Sequence, residues 1–308
     1  MTPAISVIFF TVSSGAGYGL LILLGIFASF GVLPADRWFG FTAFALALTA
    51  ITAGLLASTL HLGHPERAWR AFSQWRSSWL SREGVLAVAT YLPAALFGLA
   101  WIITQQIIPA IGLWLAISAT LTILCTAMIY ASLKPVRRWR HPLTPPAYLL
   151  IGLGSGALWL TLLCKAFALG DALSSITVVL LIAGAVIKLL YWRSIDADKG
   201  GPTIATATGL GAGGTVRLFA APHTSENYLL KEMGFRIARK HALKLRRIVL
   251  IAGFLVPAIL VAVTPVAPVA LGLIALVAAV LLNVAGALTE RWLFFAEARH
   301  SVTLYYGA

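Results

Sequence analysis

The sequence predicts an all-α integral membrane protein of eight transmembrane helices without haem, and three observations carry that prediction. Of its 308 residues 60% are hydrophobic and 11% charged, at a mean hydropathy of +0.91; a soluble domain charges about a quarter of its residues. The apolar residues gather into runs long enough to cross a bilayer, which takes about 20 residues per helix. The basic residues sit in alternate connections between those runs. Backbone in hydrocarbon must satisfy its own hydrogen bonds, so continuous runs of this length become helices and not barrel strands.

The windows that qualify are residues 4–30, 39–61, 84–106, 109–132, 146–169, 173–192, 248–266 and 268–289. The first has no basic stretch before it and is longer than a signal-peptide core, so it is expected to remain as a span. The whole chain, 1–308, reads as a single membrane domain whose only long connection is 194–245. The start of that connection is Gly-rich; Gly209, Gly211 and Gly214 match GxGxxG, but with no βαβ unit around them they read as a loop. A helix start follows at Ser225, with Glu226 in the first turn. Leu229, Leu230, Met233 and Ile237 recur on one face with Lys231 and Arg239 opposite, the pattern of an amphipathic helix on a membrane surface.

Charge sets the expected orientation. Lys and Arg outnumber Asp and Glu by 23 to 10. Arg67, Arg70, Arg76 and Arg82 lie between spans two and three, and Lys134, Arg137, Arg138 and Arg140 between spans four and five. Ten more occupy 193–247, and Arg291 and Arg299 follow span eight. The alternate connections hold only Arg37. By the positive-inside rule both termini, the 194–245 loop and the junction after span two face the cytoplasm. Orientation and anionic lipid account for the pI near 10.3 better than nucleic acid does, and the same loops suit docking of an acidic partner.

The junction from His61 to Glu83 concentrates the chemistry. Ionisable groups at a bilayer edge are costly and mark sites. The six histidines, His61, His64, His141, His223, His241 and His300, fall at span ends or in loops, whereas a haem subunit needs facing axial histidines within its helices. Cys125 and Cys164 lie in apolar runs with no ligand spacing, so packing is their expected role and no iron–sulfur cluster is expected on this chain alone.

A haem-free membrane subunit still has redox work available at a bound quinone, ubiquinone or menaquinone. Quinone reduction takes two electrons and two protons. His61 supplies a hydrogen bond and a charge switch near neutral pH. Glu83 supplies a proton donor or acceptor. Arg67 is placed to orient the headgroup or hold Glu83 ionised, Trp79 to pack on the ring, and Arg82 completes the candidate contacts, with Trp69 and Trp75 nearby. Blander roles compete: a helix cap for His61, a dipole partner for Glu83, an interfacial anchor for Trp79 and a turn for His64.

Elsewhere, Lys165 and Asp171 bracket the end of span five, Lys188 is expected to snorkel from span six, and Glu290 with Arg291 reads as a local pair. Ser13, Ser14 and Tyr18, with Gly15, Gly17 and Gly19, read as close helix packing in span one, with a slot for a quinone as the sharper alternative. A transporter would place charged sites near the midplane, and these ionisable groups lie nearer the edges.

His61-Leu-Gly, Pro65, Arg67-Ala, and Ser81 two residues before Glu83 resemble the membrane anchor subunits of the DMSO reductase family of molybdoenzymes. The resemblance implies a molybdopterin catalytic subunit and a four-cluster ferredoxin-like iron–sulfur subunit on one face, with the quinone site beneath the nearest cluster. It puts His61 and Glu83 on the family's quinol-site histidine and glutamate, and Arg67 on a nearby arginine. Some relatives carry a serine at the place of His64 and an asparagine at that of Arg82. In DMSO-reducing members the equivalent junction faces the periplasm, whereas the charges here put it in the cytoplasm of a bacterial inner membrane. The segments TPAISVIFFT and ERWLFFAEARH are similar to the branch that anchors cytoplasmic sulfite dehydrogenases, which implies electrons passing from sulfite to quinone. The alternatives are the anchor of a DMSO or S-oxide reductase that oxidises menaquinol, and a purely structural anchor.

Overall fold

The computed structural model describes residues 5–60, 62–198, 200–211, 214–217, 219, 236–301 and 304. Among them eight helices are long and apolar enough to cross a bilayer. These are α1 Ile5–Ser29, α2 Arg37–Thr59, α3 Trp79–Thr104, α4 Pro109–Ala131, α5 Thr144–Ala166, α6 Ser174–Ala197, α7 Ala242–Val263 and α8 Val269–Ala296. Number and order agree with the sequence, and the all-helical membrane fold stands. A 3₁₀ helix, Pro65–Gln74, with no buried residue, joins α2 to α3. Short helices Ile204–Thr208 and Arg236–Lys240 lie between α6 and α7. Residues 225–235 of the expected amphipathic helix are outside the described residues.

Three boundaries differ from the apolar windows, each for a local reason. Helix α3 begins at Trp79 and not at 84, because Ser78 is an N-cap: it is extended and its side chain accepts a hydrogen bond from the Ser81 N–H. Polar residues 81–83 are thereby drawn into the first turns. Helix α7 begins at Ala242 because Arg246, one turn in, pairs with Glu297 and Asp196. Helix α8 runs on to Ala296, carrying Glu290 and Arg291 inside the bundle.

Helices α1 and α5 form the centre. Small residues let their backbones meet: a side chain on Gly19 or Gly156 would collide with the facing backbone, at Gly152 and Gly19 respectively. Helix α2 packs on α1, α3 on α4, α6 on α5, and α7 on α8. In α7, Pro257 has no N–H to offer the carbonyl four residues back. That carbonyl, on Gly253, instead accepts from Asn283 Nδ2 of α8 at 2.7 Å, and Asn283 Oδ1 accepts from Ser155 at 2.7 Å. The helix passes through a π-turn, Ile251–Leu255, just before the proline. Large apolar side chains such as Leu56, Val179 and Leu281 cover the outside.

One end of the bundle gathers the basic connections. There the α4–α5 connection is latched to the end of α8, with Trp139 Nε1 donating to the Phe294 carbonyl at 2.9 Å and an Arg138 N–H to that of Glu297 at 3.1 Å. Arg246 bridges Asp196 and the Glu297 carboxylate, and Arg137 pairs with Asp198 at 2.8 Å. Several charges that report orientation in the sequence therefore also tie this end together. At the opposite end Lys165 pairs with Asp171 at 2.9 Å and donates to the Thr264 carbonyl.

Candidate functional site

Glu83 lies in the second turn of α3, at the basic end, with 5% of its surface exposed. Its Oε1 accepts a hydrogen bond of 2.5 Å from Thr126 Oγ1 on α4. Among the described residues no cation pairs with it. Burial at this point follows from the way α3 starts: with Ser78 as cap, residues 83, 87, 90 and 94 fall on the face that packs on α4, and Glu83, Ala87, Thr90 and Ala94 are all buried. Thr90 and Thr122 continue the polar contact one level deeper, their hydroxyls 3.2 Å apart. Gly84 lies beneath the 3₁₀ helix; a side chain there would come within 3.1 Å of the Phe72 ring.

The other residues singled out by the sequence are distributed around this carboxyl. His61 is outside the described residues. Arg67 is on the exposed 3₁₀ helix with its Nε 3.6 Å from Glu66 Oε1, so the expected pairing with Glu83 gives way to a neighbour one residue away. Glu66 also holds His64 Nδ1 at 3.0 Å. Trp79 opens α3 with the Arg82 guanidinium 4.3 Å from its ring. Arg82 closes the junction by donating to the carbonyls of Trp75 and Arg76 at 3.0 and 2.7 Å. Trp69, Phe72 and Trp75 are exposed.

Behind Glu83 are residues whose part the sequence does not disclose. A cavity of about 20 Å³ lies between α1, α4, α5 and α8, lined by Thr126, Tyr18, Tyr148, Ser155 and Arg291 among others. Arg291 stacks on the Tyr148 ring at 3.5 Å and its Nε is 3.2 Å from Glu290 Oε2. Glu290 Oε1 is 2.6 Å from Lys188 Nζ, with these two side chains 1% and 2% exposed. Lys188 therefore does not snorkel: the carboxylate on α8 and the Tyr191 ring, 4.3 Å away, hold it inside. For Tyr18 the sequence offers only packing or part of a slot; Thr126, Tyr148 and the Lys188–Glu290 pairing depend on contacts between distant helices.

Chemically, the arrangement offers a buried carboxyl able to exchange a proton, beside a junction rich in aromatic and guanidinium groups. Among the described residues no three His, Cys, Asp or Glu side chains are grouped to hold a metal ion.

A family model described as "DMSO reductase anchor subunit (DmsC)" matches residues 1–307. The chain is also similar to a subunit of the sulfite dehydrogenase of Allochromatium vinosum, 33% identical over 331 aligned residues that cover 99% of each chain.

Proposed function

The chain belongs to the DMSO reductase anchor subunit family, and from that premise we propose that it carries a quinone site at which electrons from a partner's iron–sulfur cluster enter the quinone pool. It is the anchor of a multi-subunit oxidoreductase, with the substrate chemistry on other subunits. The reading rests on one observation above all: the Glu83 carboxyl is buried at the edge of the bundle with a hydroxyl and no cation beside it among the described residues. A membrane protein does not retain such a group cheaply unless its protonation is used.

In this reading His61 hydrogen-bonds one quinone carbonyl and Glu83 gives a proton to the reduced ring. Trp79 and Arg82, stacked on each other, form the rim, and Arg67 orients the headgroup from the 3₁₀ helix. The partners are a ferredoxin-like iron–sulfur subunit and a molybdopterin subunit, docked on the basic end. That end and both termini face the cytoplasm of a bacterial inner membrane, as the segregation of basic residues supports. The likeness to a sulfite dehydrogenase subunit over its full length supports sulfite as the partner's substrate, with ubiquinone or menaquinone as acceptor.

The test is made on the assembled complex. His61→Ala and Glu83→Gln are expected to keep sulfite oxidation by an artificial dye and to lose quinone reduction. Quinone turnover at the wild-type rate in both variants, together with indifference to quinone analogues, would leave only a structural anchor.

A further inference from the structure

The cavity behind Glu83 has no part in the quinone reading, yet it is built from polar side chains. At about 20 Å³ it has room for one or two water molecules and not for a quinone ring. Thr126, the donor to Glu83, is in its wall. Tyr18 and Tyr148 are also in the wall, 3% and 5% exposed, and neither hydroxyl has a hydrogen-bond partner among the described residues. A buried hydroxyl left without a partner is costly, and a polar cavity of this size is where an ordered water meets that need. Arg291 adds a cation fixed by Glu290 and by the Tyr148 ring.

We propose that the cavity holds ordered water on the Tyr18 and Tyr148 hydroxyls beside Arg291, and that this water reprotonates Glu83 through the Thr126 hydroxyl. The inference rests on Glu83 being the proton donor to quinone. Once Glu83 has given its proton to the reduced ring, Thr126 passes its hydroxyl proton to the carboxylate and takes one from the cavity water. The water in turn takes one from solvent. Each hop moves one proton and no electron; the two electrons of quinone reduction come from the partner's iron–sulfur cluster. Arg291 disfavours an excess proton resting in the cavity, which drives it on to the carboxylate. Tyr18 and Tyr148 are positioning residues, fixing the water against Thr126. The outer approach to this stretch of α3 is covered by the 3₁₀ helix, where Phe72 lies over Gly84.

Infrared difference spectroscopy on the assembled complex tests this directly. The protonated-carboxyl band of Glu83, assigned by its loss in Glu83→Gln, reports hydrogen–deuterium exchange at that group. The double variant Tyr18→Phe with Tyr148→Phe is expected to slow the exchange roughly tenfold and to raise the solvent isotope effect on quinone reduction. Exchange and isotope effect at wild-type values in that variant overturn the proposal. Should the variant fail to assemble, a density map of the unmutated complex that resolves ordered water decides instead. Water within hydrogen-bond distance of Thr126 and a tyrosine hydroxyl supports the relay, and a dry cavity overturns it. Failure of the underlying quinone reading has a different signature, namely full quinone reduction by Glu83→Gln.

Discussion

Glu83 and Glu290 are both buried glutamates toward the same end of the bundle, and the cavity lies between their surroundings. Glu290 sits between two cations, Lys188 at 2.6 Å and Arg291 at 3.2 Å. Glu83 has a threonine hydroxyl at 2.5 Å and no cation among the described residues. A carboxylate between two cations is locked in its ionised form, and its role is to neutralise what surrounds it. A carboxyl with only a hydroxyl beside it can exist in either protonation state. Two glutamates of equal burial are thus assigned to opposite tasks, one to holding helices α6 and α8 together and the other to moving a proton.

Substitutions should separate the two tasks. The largest expected effect is on stability: Glu290→Gln leaves Lys188 and Arg291 buried without their counter-charge, at a cost of about 3 to 5 kcal/mol, read as a lower thermal midpoint of the purified complex. Whatever complex assembles should still reduce quinone. Next comes Glu83→Gln, which keeps an acceptor for Thr126 and so should barely move the midpoint, while slowing quinone reduction by about 100-fold. If Glu290→Gln abolished turnover and Glu83→Gln only unfolded the protein, the comparison would be reversed.

Smaller effects sharpen it. Thr126→Val removes the one described partner of Glu83 and should lower quinone turnover about tenfold with little loss of stability. Asn283→Leu frees the Gly253 carbonyl and Ser155 hydroxyl; it should cost about 1 kcal/mol in thermal or denaturant unfolding and leave turnover unchanged. The smallest effect is expected at His141, in the α4–α5 connection, where burial holds the imidazole below the usual histidine range against an opposing pull from Asp198. Its neutral form is the one the fold accommodates. The resulting stability is present above the unfolded-state value of about 6.5 and is lost as pH falls through the folded value. His141→Gln should therefore flatten the acid side of a midpoint-against-pH curve.

Much of the fold was legible because hydrocarbon leaves the chain few choices: eight apolar runs of spanning length became eight helices in the same order. The boundaries were less so where polar residues extend a helix. A cap at Ser78 makes Trp79 to Glu83 helical, and the neutralised pair Glu290–Arg291 lets α8 continue inward, neither of which is visible to hydropathy. At the candidate site, the junction is marked by its ionisable residues, and Glu83 stands out as the lone acid at the head of span three. Its partner does not. Thr126 resembles any threonine bonded back to its own helix, which it also is, at 3.1 Å to the Thr122 carbonyl. Lys188 carries the signature of a snorkelling lysine because its counter-charge lies on α8, about a hundred residues away along the chain. Proximity across the junction points Arg67 at Glu83, and Glu66, adjacent in sequence, takes it instead.

The most direct test of the central claim is a structure of the assembled complex with a quinone analogue bound. The account predicts the headgroup at the start of α3, one oxygen within hydrogen-bond distance of His61 and the other facing the Glu83 carboxyl. An analogue seated at another part of the bundle, or a Glu83 carboxyl walled off from the headgroup, would contradict it.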